Sequence, residues 1–415
     1  MIATLIRAPK LVDIENKRIL DNMEVLVEDG KIKEVGKINS IDIKEAQKIE
    51  FEEGYLMPGL IDAHLHLMGG RSENYIEESL IVPDGLKIIR AVNDAKALLD
   101  AGYTTVRDCG SSAAPHVREA IREGETVGPR ILTSIFILTQ TFGHGDFHSI
   151  PEEWVDARTS GRGSTLICDG VEECRKAARH AFREGADFIK ICTTGGVMSQ
   201  KDKPENTQFT VEEIRAIVEE ANHVNSYVAS HAQGTEGINN ALKAGVRTIE
   251  HAIYPDEETV RLGKEKDAVF VLTLTIAKTI AEVGEKEGYP KWAVEKAIQA
   301  MNDYVKNIRF LVSNGVKIGL GTDFMGSKLT KMGTNSRELV TLVKDAKLDP
   351  WLVLEAATAN NAKACGLEGK TGLIKKGYFA DIILVKENPV EKIETLLDTN
   401  NITFVMKEGK VYKKL

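Results

Sequence analysis

The chain has no C-x-x-C pair, no long apolar run and no basic tract, and each absence removes a class of protein. Its cysteines, Cys109, Cys168, Cys174, Cys192 and Cys365, are five in 415 residues. An odd, scattered set indicates neither a disulfide framework nor a structural zinc knuckle, so a reducing compartment is expected. No stretch reaches the roughly 18 uncharged apolar residues that a spanning helix needs. The first 18 residues carry Arg7, Lys10, Asp13 and Glu15 and lack the apolar centre of a signal peptide. A soluble, cytoplasmic protein with no membrane partner is expected. Lys+Arg number 54 against 62 Asp+Glu, a net charge of −8. With no basic run to follow a phosphate backbone, nucleic acid is not an expected partner.

What is present is enough apolar residue, 42% of the chain, to exclude disorder, collagen-like repeats and a coiled coil. On a prior of about 150 residues per domain, the length suits two or three domains, or one large barrel with an appended module. The two ends read as β-structure. NMEVLVEDGKIKEVGKI (22–38) alternates apolar and polar residues about Asp29-Gly30, a type I′ hairpin signal. FADIILVKENP (379–389) and ITFVMKEGKVYKK (402–414) repeat the style, the second turning at Glu408-Gly409. The ends, 1–55 plus 361–415, are therefore expected to form one small β-sandwich around a larger middle domain, 56–360.

That middle alternates short apolar strands with helices. The strand candidates lie at 56–67, 104–110, 130–137, 187–196, 227–234, 247–253, 268–274 and 316–324. Helices between them end at Gly102 and Gly185, and Thr210-Val-Glu-Glu213 is a capping box. Eight such pairs over about 300 residues are the arithmetic of an α/β protein of the (β/α)8 barrel type. A doubly wound sheet would also alternate, but it calls for G-x-G-x-x-G after the first strand, which here ends in His64-Leu65-His66.

His64 and His66 are two apart on a strand and so share a face. Alone, the pair could be two polar residues at a strand end. The later strands add Lys190, His231, His251 and Asp323, each at its own C-terminal end, where barrel enzymes gather their catalytic groups. Taken singly, Lys190 could be a salt-bridged residue and His231 and His251 satisfied core histidines. Together, four imidazoles, a carboxylate and an amine suit borderline-soft divalent ions, zinc first. The set exceeds what one tetrahedral ion with an open position can use, and two ions about 3.5–4 Å apart would use it fully.

Pro58-Gly-Leu-Ile-Asp-Ala-His64-Leu-His66, followed in order by Lys190, His231, His251 and Asp323, resembles the amidohydrolase superfamily over nearly the whole chain. GGVMSQKDKPENTQFTVEEIRAIVEEA and SHAQGTEGINNALKAGVRTIEHA are similar to its imidazolonepropionase-related branch of Xaa-Pro, Xaa-Arg and Xaa-Lys dipeptidases, the prolidase-like enzymes. Amide hydrolases of the ochratoxin type lie near that branch. The resemblance implies that His64 and His66 hold the more buried of two metal ions and His231 and His251 the more exposed. Asp323 would bind the buried ion beside a bridging water, and Lys190 would be carboxylated by carbon dioxide. A carbamate carries the negative charge and two oxygens that an ammonium lacks, and a lysine beside two dications loses its proton readily.

The same resemblance separates neighbouring reactions. Deaminases of the superfamily carry H-x-x-E on the fifth strand, where this chain has Gly234, and sugar deacetylases place a Glu on the third strand, where RILTSIFI has none. Many dipeptidases of the branch have H-A-Y on the fifth strand. Here Gln233 takes the tyrosine position, and Tyr254, three residues after His251, is a candidate to replace it, or else a rim aromatic. His144 and His148, in TQTFGHGDFHS after the third strand, are candidate substrate contacts, and Arg118, Arg162 and Lys201 candidates for a carboxylate. The expected activity is metal-dependent hydrolysis of a linear amide or peptide bond, dipeptidase- or carboxypeptidase-like, releasing a C-terminal amino acid. A cyclic amidase of hydantoin or imidazolone type is the alternative, and a non-catalytic scaffold stands behind it. The expected partner is a small molecule, with room for a homo-oligomer.

Overall fold

Alternating sequence at both chain ends is spent on one mixed sheet. The computed structural model describes residues 3–43, 45–151, 153–155 and 164–415. Its first strands are β1 (Thr4–Asp13), β2 (Arg18–Glu28), β3 (Lys31–Lys37), β4 (Gln47–Glu50) and β5 (Tyr55–Pro58). Ten parallel strands follow: β6 (Leu60–Leu65), β7 (Tyr103–Asp108), β8 (Arg130–Thr133), β9 (Ile137–Thr139), β10 (Thr165–Ile167), β11 (Ile189–Cys192), β12 (Val228–Ala232), β13 (Thr248–His251), β14 (Val269–Leu272) and β15 (Lys317–Leu320). Then β16 (Ile382–Val385), β17 (Ile402–Lys407) and β18 (Lys410–Lys414) return to the first sheet, in the order β18-β17-β16-β5-β1-β2-β3 with β4 also on β1.

Asp29 and Gly30, at φ +49° and +77°, form the type I′ turn that the sequence signals, and Glu408-Gly409 repeats it at +50° and +77°. One face of the sheet buries Ile6, Val25, Leu56, Ile382 and Phe404 together. The expected sandwich takes a different form. Because β1 pairs with β2 on one edge and with β4 and then β5 on the other, both ends are hydrogen-bonded into one eight-stranded sheet around this core.

The strand expected over 56–67 divides at Gly59. Tyr55–Pro58 pairs with β16, and Leu60–Leu65 pairs with β7. A Cβ on Gly59 would stand 2.2 Å from Thr104 Oγ1, so only glycine lets the chain cross here. The parallel strands are buried on both faces, as strands covered by helices are. Their ladders form a three-stranded sheet, β6-β7-β8, and a seven-stranded one, β10-β9-β11-β12-β13-β14-β15. A few backbone bonds span the seams: Asp187 N donates to Thr133 O (2.8 Å), Thr322 N and Asp323 N donate to His64 O (2.9 and 2.7 Å), and His66 N donates to Phe324 O (2.9 Å). A continuous ladder around a closed barrel, the expected form, is thus interrupted, because the backbone bends after β8 (Ile135, φ +60°) and leaves β15 at Gly321. The helix Val211–His223 starts at the expected capping box of Thr210 and Glu213. No helix among the described residues is long and apolar enough to cross a membrane.

Candidate metal and catalytic centre

The C-terminal ends of the parallel strands bring six residues together. Asp323 Oδ1 lies 3.3 Å from His64 Nε2 and 3.1 Å from His66 Nε2, and Lys190 Nζ lies 3.3 Å from His64 Nε2. The His251 ring is 4.9 Å from that of His64 and 4.6 Å from that of His231, centroid to centroid. Strand alternation cannot build this cluster unaided. His251 (φ +73°), Ala252 (+53°) and Asp323 (+57°) occupy the left-handed region, which non-glycine residues adopt at a cost and which concentrates at functional sites. The reversal at His251 lets consecutive residues, Glu250 and His251, both meet His64.

Each imidazole has one nitrogen engaged by an oxygen. His64 Nδ1 donates to Glu250 Oε2 (2.7 Å), His66 Nδ1 to Gly110 O (2.9 Å) and His231 Nε2 to Gly195 O (3.1 Å), and His251 Nδ1 shares a hydrogen bond with the Thr273 hydroxyl (2.7 Å). At His64, His66 and His231 the partner is an acceptor, so that nitrogen carries a proton and the opposite one is left available to the centre, the arrangement of metal-binding histidines. Burial, reinforced by neighbouring positive groups, holds His231 and His251 well below the ordinary imidazole range, hence neutral. Burial acts to raise Asp323, but attraction to His64 and hydrogen bonds from His64 and His66 outweigh it and hold the carboxyl well below its usual range.

The separations of 3.1 and 3.3 Å at Asp323 are close to the edge of about 3.3 Å between two ligands on a tetrahedral ion with bonds of about 2.0–2.1 Å. Ligand atoms of His64, His251 and Asp323 all lie within 4.8 Å of one another. Lys190 is 2% exposed, its hydrogen-bond partner is His64, and it forms no ion pair among the described residues. The donor set therefore fits divalent metal.

The amidohydrolase family profile matches residues 55–412. The chain belongs to the amidohydrolase family. Ochratoxinase of Aspergillus niger is 37% identical over 372 residues, 86% of this chain and 75% of that protein. Its crystal structure superposes with a TM-score of 0.93 at 33% identity, covering 100% of this chain and 96% of that one. Imidazolonepropionase of Clostridium tetani is 25% identical over 97% of this chain and 93% of its own. A prolidase solved with N-methylphosphonate-L-proline matches at TM-score 0.92 and 31% identity, each chain covered in full. This amidohydrolase is a hydrolase acting on amide bonds, with a TIM-barrel-type fold, from a family that is generally metal-dependent.

The centre of this amidohydrolase rests on groups that sequence reasoning missed. Arg107, fully buried, donates from Nη2 to Glu250 Oε1 (2.8 Å), from Nε to Ala63 O (2.5 Å) and from Nη1 to Thr248 Oγ1 (3.1 Å). Burial acts to raise Glu250, but Arg107 first and His64 next hold it well below the ordinary carboxylate range. Asp62, also buried, accepts from His64 N (3.0 Å), Thr322 Oγ1 (2.7 Å) and Asn335 Nδ2 (2.7 Å), tying β6 to the segment that carries Asp323. Alternation places Asp62 on the face of His64 and His66, a signal that was legible. Glu250 gave none, since its neighbour His251 should point the other way.

Above the centre a cavity of about 140 Å³ opens to solvent. His66, Asp323 and His144 line it beside Met68, Tyr75, Phe147, Met198 and Met325. His144 stacks on His231 at 3.9 Å and 15°, and burial pushes its imidazole down to about 4. Gln233 and Tyr254 do not line this cavity. Gln233 is 5% exposed, its Oε1 buried without a hydrogen-bond partner, and Tyr254 N donates to its backbone oxygen (2.8 Å). His148 stacks on the exposed Phe142. Arg118 is bound to Asp187 and Gly185 O ahead of β11, Lys201 is exposed, and Arg162 lies outside the described residues.

Proposed function

We propose that this amidohydrolase is a binuclear, metal-dependent hydrolase of linear amide bonds that releases a C-terminal amino acid from dipeptides or N-acyl amino acids. The convergence of four imidazoles, each with one nitrogen held by an oxygen, on Lys190 and Asp323 carries the reading. Taken as one (β/α)8 barrel over 56–360, with 1–55 plus 361–415 as the second domain, the parallel strands aim these groups at a single mouth. His64 and His66 would hold the more buried zinc ion and His231 and His251 the more exposed, with a carboxylated Lys190 as a ligand common to both. Ions held there supply Lewis acidity and an ionised water near neutral pH. Asp323 takes the proton of the attacking water and passes it to the leaving nitrogen, a transfer worth about 10²–10⁴-fold. Met68, Met198 and Met325 beside Tyr75 and Phe147 form a surface for an apolar acyl group, since methionine adapts its shape and favours aromatic contacts. The likeness to ochratoxinase and to a prolidase supports both substrate types. The enzyme works in the cytoplasm.

The test is a panel of dipeptides, N-acyl amino acids, their C-terminal amides and cyclic ureides, assayed with zinc-loaded protein. Free acids are expected to turn over, with amides depressed at least about tenfold in kcat/KM through lost orientation. Equal rates on amides, or turnover of cyclic ureides alone, would overturn the reading in favour of the cyclic amidase. Lys190→Ala is expected to lose metal and turnover, with partial recovery in short carboxylic acids that can bridge two ions. Wild-type activity and two ions per chain in that variant would refute the role given to Lys190.

A further inference from the structure

Lys296, on the helix Lys291–Ser313, reaches out of that helix into a neighbouring loop. Its Nζ donates to three backbone carbonyls, Gly196 O (3.0 Å), Ser199 O (2.6 Å) and Asp202 O (2.5 Å), with Asp202 Oδ1 farther off at 3.9 Å and the Trp292 ring at 5.6 Å. Three carbonyls from seven consecutive residues thus wrap one ammonium, as carbonyls wrap a monovalent cation. The base of the loop is pinned separately, by Gly195 N to Asn206 O (2.9 Å) and Gln208 N to Thr193 O (2.8 Å).

The wrapped segment and Gly195, which precedes it, together supply four contacts to the site. Gly195 O accepts from His231 Nε2, Ser199 Oγ lies 2.9 Å from His144 Nδ1, Met198 lines the cavity, and Met198 O accepts from Tyr75 Oη (3.1 Å). Asp202, 1% exposed, accepts from Ser199 Oγ and from Gln208 Nε2 (2.9 Å), and Gln208 Oε1 accepts from His144 N (2.9 Å). A serine hydroxyl has one proton. Ser199 gives it to Asp202, so it can only accept from His144 Nδ1–H, which leaves His144 Nε2 as the lone pair. The fit is close: a Cβ on Gly196 would stand 2.4 Å from His144 Cε1 and 2.9 Å from His231 Nε2.

We propose that Lys296 is a positioning residue, a tethered cation around which 196–202 folds so that Ser199 sets the tautomer and ring plane of His144 and, through the stacked pair, the plane of His231. The proposal deepens the reading of this centre as an amide hydrolase and rests on it only for its kinetic arm. Replacing the tether by Lys296→Ala leaves a site for a free ammonium ion. In zinc-loaded protein labelled at histidine nitrogen, the variant is expected to lose the Nδ1–H signature of His144 by NMR. Methylammonium should restore it, and tetramethylammonium, which cannot donate, should not. On a cleaved amide, kcat should fall about tenfold to a hundredfold with KM changed little, and recover with methylammonium alone. Unchanged histidine resonances, or a loss of stability with no methylammonium rescue, would overturn the proposal. If Lys296→Ala does not fold, Lys296→Gln, which keeps two N–H donors for the carbonyls but no charge, is read against the same two outcomes. The NMR arm needs no substrate, so it stands or falls apart from the amide-hydrolase reading.

Discussion

His64 and His231 both touch His251, yet they are held by opposite means. Behind His64 stand Glu250 and Arg107, charged, fully buried and carried on strands β13 and β7. Behind His231 stand a backbone carbonyl and, through its stacked neighbour His144, a serine, all on a loop gathered around Lys296. The strand side has no freedom to adjust, since moving any member strands a buried charge. The loop side can be re-formed by a few residues without touching the strands, and it also carries Met198 into the cavity. The charged support of His64 and the loop support of His231 are therefore separable in this molecule.

The largest test of that contrast is Arg107→Met, which leaves the buried Glu250 without its guanidinium partner. Breaking one half of a buried pair costs about 3–5 kcal/mol, so urea unfolding should show a stability loss of that size. A loss under about 1 kcal/mol would mean that the strand side does not depend on its charges. Asp323→Asn comes next, keeping shape but not proton transfer, with kcat expected to fall about 10²-fold or more and thermal unfolding unchanged. Normal turnover would remove Asp323 from the chemistry.

On the loop side, Gly196→Ala forces a methyl against both His144 and His231. A displacement of reacting groups by about 1 Å can cost 10²-fold. We expect kcat/KM to drop while the melting temperature barely moves, the reverse of Arg107→Met. Equal damage to stability would erase the distinction between the two sides. The smallest effect is a baseline far from either side. Glu220 accepts from Arg179 and Arg175, whose hydrogen bonds and charges hold it down to about 2 against an ordinary 4.5. A depressed folded-state value contributes stability above about 4.5 that is lost as pH falls toward about 2. Arg179 is 63% exposed, so Glu220→Gln should cost less than about 1 kcal/mol at neutral pH, and the difference from wild type should vanish in strong acid. A gap that persists there would assign the effect to packing.

Much of this was readable in residue order because it is local. The two type I′ turns, the Thr210 capping box, the apolar strands and the placing of His64, His66, His231, His251 and Asp323 at or just past strand ends, with Lys190 inside its strand, follow from neighbours a few residues apart, where turn chemistry and periodicity act. What only the tertiary structure decided joins residues far apart along the chain. Arg107 meets Glu250 across 143 positions and Glu250 meets His64 across 186, Lys296 reaches Asp202 from 94 positions away, and no periodicity encodes such pairs. The positive φ of His251 breaks the alternation on which a strand reading depends. The crossing at Gly59 depends on Thr104, forty-five residues on. Gln233 and Tyr254, adjacent to metal-binding candidates in sequence, stand outside the cavity, because proximity along a strand end does not fix which way a side chain turns once the strand has ended.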